Sequence, residues 1–143
     1  MSIGVSGSCE IKIKFFNPTA KLIGYILTIF HIEVLATDGH VIEDLFFPEW
    51  PTLRFHTGSL PSASNRSGHF ISQTNFPVTG PQAQETRFSI GSSRQWAVTL
   101  QPNGWSKLIG RKASDFANGL FDGHTDPAFE RFRPLANSLF NEG

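Results

Sequence analysis

The side chains best suited to nucleophilic, acid–base or metal chemistry are few and scattered. Histidines stand at 31, 40, 56, 69 and 124, and Cys9 is the one cysteine. No H-x-H or H-E-x-x-H spacing occurs, and G-x-S-x-G, G-x-x-x-x-G-K-[ST] and G-x-G-x-x-G are all missing. Nucleophilic and nucleotide chemistry therefore have no framework here, and Cys9 lies close to the terminus. One close pairing remains, His31 with Glu33, which strand alternation points to one face. A solvated pair or a satisfied core histidine is the ordinary reading of such a pair. The expectation is a chain with no catalytic residue, no metal site and no cofactor.

Recognition chemistry is better represented. Trp50, Arg54, His56, Trp96, Gln101 and Trp105 combine stacking faces with directional polar groups, the mixture that lines small-molecule pockets. Arg54 and His56 belong to Thr52-Leu53-Arg54-Phe55-His56, where period 2 sets Leu53 and Phe55 on one face and Thr52, Arg54 and His56 on the other. The apolar pair claims one side, so Arg54 and His56 are expected to point into the mouth of a β-structure.

The elements that must position these residues read as β-structure over about 10–102 and helix over about 103–141. Ile11-Lys12-Ile13-Lys14-Phe15 alternates strictly. Tyr25–Leu35 and Val41–Phe47, joined at Asp38-Gly39, predict a hairpin. Thr57–Gly68, rich in Gly, Ser, Pro and Asn, predicts a long loop or lid. Strands follow near Phe70–Gln73, Arg87–Ile90 and Gln95–Gln101, with turns at Thr79-Gly80-Pro81 and Gly91-Ser92-Ser93. Beyond Pro102-Asn103-Gly104, helical spacing joins Trp105, Leu108 and Ile109, and Ser114 can cap a helix presenting Phe116 and Leu120. Asp126-Pro127 opens a last helix to about Phe140, its stripe made by Phe129, Phe132, Ala136 and Leu139 and its axis bent at Pro134. The fold class is mainly β (α+β), an antiparallel barrel or jelly roll of about 6–8 strands followed by two or three C-terminal helices.

The 143 residues suit one domain, and 39% hydrophobic against 17% charged residues, with 14 Phe, supply a packed core. Lys+Arg and Asp+Glu balance at 12 each, so the basic excess of a phosphate-gripping domain is missing and no direct nucleic-acid binding is expected. A lone cysteine excludes an internal disulfide and fits a reducing, cytoplasmic setting. The apolar run Leu22–Ala36 is interrupted by His31 and Glu33 and is shorter than the ~20 residues of a membrane helix. Charge is uneven: Leu22–Leu53 holds five acids and no base, Thr86–Ser114 five bases and no acid. The halves are expected to face one another, within the fold or across a subunit interface.

Val98-Thr99-Leu100-Gln101-Pro102-Asn103-Gly104-Trp105-Ser106-Lys107-Leu108-Ile109-Gly110, followed by Ala113-Ser114-Asp115-Phe116-Ala117, resembles the F-x-P-x-G-x-x-x-L-x-G-x-x-A-x-E stretch in the N-terminal domains of AraC/XylS-type bacterial transcriptional regulators. Asp44–Phe55 resembles the segment of that domain containing Pro, Asp and Gly ahead of a Leu/Phe strand, with Trp50 at the place of the commoner glycine, and Thr79-Gly80-Pro81 resembles its Gly-Pro element. The pieces occur in the family's order over about residues 20–140. The resemblance implies a cupin-like β-barrel that senses a small-molecule effector and dimerises, its C-terminal helix (Phe129, Phe132, Leu139) carrying the signal or the homodimer contact. The family's paired helix-turn-helix DNA-binding units are expected in the parent protein. The alternative reading is a small cupin-like isomerase or epimerase of sugars or small acids, with His31, Glu33 or His56 as acid/base groups.

Overall fold

The computed structural model describes residues 9–37 and 39–140. It is mainly antiparallel β. One sheet orders β1 (Cys9–Phe16), β2 (Ile26–Ala36), β9 (Ser93–Leu100), β4 (Thr52–Gly58), β7 (Pro77–Thr79) and β10 (Leu120–Asp122). The other orders β3 (Ile42–Phe46), β8 (Thr86–Ile90), β5 (Ser62–Ser64) and β6 (Phe70–Ser72). Helical structure is short: α1 (Pro102–Gly104) runs into a π-helical turn Trp105–Ile109, a 3-10 turn spans Ala113–Phe116, and a second, Pro127–Phe132, leads into α2 (Arg133–Ser138).

The central strands of the larger sheet are covered on both faces, and strand register states which residues go where. Cross-strand partners share a face, so the pairs Leu53↔Val98 and Phe55↔Trp96 place those four residues on one side, while Arg54↔Ala97 and His56↔Gln95 lie on the other. The first side meets the helices: Leu53, Phe55, Phe76, Trp105, Phe116 and Phe129 form one buried cluster. The second side meets the smaller sheet, where Ile32 and Val34 of β2 pack with Ile42 and Ile90. Both faces of β4 are thus buried, and Thr52 through His56 are buried without interruption.

Two expected turns owe their glycines to close backbone approach. A Cβ on Gly104 would stand 1.8 Å from the Tyr25 carbonyl oxygen, and one on Gly80 would stand 1.9 Å from that of Phe116. Only glycine lets the chain ends pack onto the sheet at these two points.

Several expectations are corrected. β2 and β3 are not a hairpin: β2 lies between β1 and β9, and β3 pairs with β8 in the other sheet. Of the turn expected there, Asp38 lies outside the described residues. The Thr57–Gly68 stretch is not a free loop, because Ser62-Ala63-Ser64 pairs with both β8 and β6. Leu120 belongs to no helix. Asn118 adopts φ 57°, which ends the preceding turn, and the chain re-enters the larger sheet as β10 beside β7. The last helix is two pieces, because Pro134 lacks an N–H and occupies the first turn of α2 rather than bending a continuous helix. The acidic and basic segments do come together through strand pairing, with Glu33 opposite Arg94 and Glu43 and Leu45 opposite Ser89 and Arg87. Among the described residues, no helix is long and apolar enough to cross a membrane.

Candidate functional site

Between the two sheets lies a cavity of about 40 Å3 whose wall includes Phe46, Arg54, His56, Val78, Ile90 and Gln95. Alternation in β4 turns Arg54 and His56 toward it, and alternation in β9 brings Gln95 beside His56. All three are buried, at 5%, 3% and 5% exposure.

The Arg54 charge is held by three contacts. Its Nη2 donates to Glu49 Oε1 at 2.7 Å in an ion pair, its Nη1 donates to Thr79 Oγ1 at 3.3 Å, and its guanidinium stands 4.5 Å from the centre of the Phe46 ring. Phe46 stacks in turn on Phe88, with ring centres 4.2 Å apart. A buried guanidinium is tolerated only with such company.

The rest of the polar wall is not satisfied. Arg54 Nε, His56 Nδ1 and Nε2, and Gln95 Oε1 are buried and without a hydrogen-bond partner among the described residues. An unmade buried hydrogen bond costs about 1–3 kcal/mol, so four such atoms on the residues of one wall make it the candidate binding site. A water needs roughly 10–15 Å3 of such space, so the cavity in this form takes about three.

Burial, reinforced by the Arg54 charge, lowers the His56 pKa to about 3. Its imidazole is therefore neutral at physiological pH, with one nitrogen donating and the other accepting. A sign follows for stability. The unfolded chain takes up the proton near pH 6.5 and the folded chain does not, so stability is full above pH 6.5 and falls as pH drops from there toward 3. Wild type is expected to lose about 2 kcal/mol more than His56→Gln between pH 6.5 and 4.5, as read by urea unfolding at each pH. Parallel pH profiles for the two proteins would show that His56 titrates alike folded and unfolded.

On one side His56 reaches a more open hollow of about 420 Å3 whose rim includes Gly58, Gln73, Asn75, Asp122 and His124. Two pairs close on its rim: Thr74 Oγ1 donates to Asp122 Oδ1 at 2.8 Å, and the His124 ring bonds Asn75 Oδ1. His56 thus stands between the outside and the inner cavity. A larger hollow of about 550 Å3 lies on the outer face of the smaller sheet, along Glu43, Leu45, Ser64 and Arg87. Among the described residues, none of the buried unpartnered polar atoms belongs to it.

Of the six residues proposed from sequence, the structure brings Arg54 and His56 together and scatters the others. Trp50 is 46% exposed, away from the cavity. Trp96 faces the opposite side of the sheet, its ring 4.7 Å from that of His31. Trp105 is core: it is buried against Phe116 and Phe129, and its Nε1 donates to the Arg111 carbonyl at 2.6 Å. Gln101 holds a loop through Nε2 to the Ile23 carbonyl. The proposed acid/base groups also separate, because His31 and Glu33 share the face of Trp96 and Arg94 while His56 takes the other. In the C-terminal segment Phe129 is fully buried and unavailable to a partner, whereas Phe132 and Leu139 pack on the core but keep part of their surface. Gln95 and Glu49 were missed. The alternation Ser93, Gln95, Ala97, Thr99 marks a polar-to-small face in β9 that matches the Thr52, Arg54, His56 face of β4, and Glu49 carries no pattern that ties it to Arg54.

Among the described residues, no three of His, Cys, Asp and Glu converge as metal ligands. No protein-family model matches the chain, and no curated protein and no solved structure is significantly similar to it.

Proposed function

We propose that the chain is the effector-sensing and dimerisation module of an AraC-type transcriptional regulator, a cupin-like β-structure that binds a small organic molecule between its sheets. The observation that carries this reading is the set of unpartnered polar atoms on Arg54, His56 and Gln95 around one inner cavity. The ordered family resemblance supports it, and in both Thr79-Gly80-Pro81 and Pro102-Asn103-Gly104 the glycine admits a close backbone contact.

Signal transfer has a short route in this reading. Leu120 of β10 touches the cavity, and its neighbour Phe121, on the other face, packs against Phe116 and Phe129. Beyond β10, Arg133 Nε donates to the Gly123 carbonyl and its Nη2 to that of Asp126, fastening α2 to the end of the strand. A ligand that moves Leu120 therefore moves the platform on which Phe132 and Leu139 rest. These two contribute the contact with a second copy, and the helix-turn-helix part of the parent protein reads out the change in the cytoplasm.

Fractions of a small-molecule extract of the host test the proposal. At least one fraction is expected to raise the melting temperature of the wild type by several degrees and to leave Arg54→Met unchanged. If no fraction separates the two proteins, the effector reading fails.

A further inference from the structure

We propose that the molecule taken by the inner cavity is uncharged, with an apolar body and one polar end that both donates and accepts hydrogen bonds, the chemistry of a small primary amide or hydroxy ketone. This rests on the reading of the cavity as an effector site and names what that effector must be.

The argument is an inventory of what the wall leaves open. Arg54 Nε–H is a donor, Gln95 Oε1 is an acceptor, and the two nitrogens of His56 supply one of each when the ring is neutral. Burial and the neighbouring Arg54 keep that ring neutral. Two donors and two acceptors thus belong to residues that line one small space. A carboxylate accepts only and would leave Gln95 Oε1 and one His56 nitrogen without a donor. An ammonium donates only and would strand Arg54 Nε and the other His56 nitrogen. Each mismatch leaves buried polar atoms unpaired, the strongest source of discrimination a site can build.

Charge points the same way. The terminal nitrogens of Arg54 are already engaged by Thr79 Oγ1 and Glu49 Oε1, and Glu49 balances its charge. Glu49 is committed to the same pair and does not call for a cation. Of the other wall residues, Thr79 and Thr86 have their hydroxyls bonded to Arg54 and Gln82, and Phe46, Val78, Phe88, Ile90 and Leu120 are apolar, which suits a hydrocarbon body. The volume of about 40 Å3 limits that body to a few heavy atoms.

Three small probes test the class: acetamide, acetate and ethylamine at pH 7, titrated into the full chain. Binding is read by NMR from the His56 ring and the Gln95 side-chain amide. Acetamide is expected to shift both signals saturably and to bind at least tenfold more tightly than either ion, and Gln95→Leu to weaken it about tenfold. The comparison among probes uses the unaltered protein, so it stands even if the variant does not fold. Equal or tighter binding of acetate or ethylamine at the same signals overturns the proposed class and leaves the cavity a ligand site. If none of the three reaches those signals, the cavity is a hydration site, and the class falls together with the effector reading.

Discussion

Replacing Phe129 with alanine is expected to cost about 3–5 kcal/mol, the usual range for emptying a fully buried aromatic position. The ring is fully buried, and it sits within 5.8–6.1 Å, centre to centre, of Phe116, Trp105 and Phe121. Those neighbours belong to three separate stretches, the π-helical turn, the 3-10 turn and β10. Phe121 cannot close over the gap without leaving the sheet, nor Trp105 without breaking its hydrogen bond to Arg111. Urea unfolding measures the loss. A cost below 1 kcal/mol would mean that the C-terminal segment is not part of the cooperative core and that the Leu120–Phe121–Phe129 route carries no force.

The second large effect is expected at Glu49. Glu49→Gln removes the counter-charge of a guanidinium whose side chain is 6% exposed, while the carboxylate itself keeps 28%. Breaking a fully buried pair costs about 3–5 kcal/mol, and solvent at the Glu49 end brings the expectation to about 2–3 kcal/mol. Arg54→Met in the same chain is expected to restore part of the loss, because a buried charge without its partner is worse than no charge. Additive costs in the double variant would show that the two residues act independently.

The sequence made one half of this site legible and concealed the other, for a physical reason. Alternation in Thr52–His56 states which side chains share a face, and Arg54 and His56 are found together because period 2 is a property of the backbone. Aromatic character states no direction. Trp96 neighbours Gln95 in β9 and for that reason alone faces away from the cavity, while Trp105 fills the core. Pairing was equally hidden. Asp38-Gly39 signals a turn but not that β3 leaves for another sheet, and Ser62-Ala63-Ser64 has no apolar pattern because its order comes from β8 and β6 on either side. The i, i+4 spacing of Phe116 and Leu120 fits a helix as well as the observed turn and strand. The positive φ of Asn118, which decides between them, is a tertiary outcome.

The most direct test of the cavity as an effector site is a high-resolution crystal structure of the chain purified from its own host. The account predicts density for one small organic molecule between the sheets, within hydrogen-bond distance of Arg54 Nε, a His56 ring nitrogen and Gln95 Oε1. Isolated water peaks alone at those three atoms, or a wall closed onto itself with Gln95 bonded to His56, would contradict it.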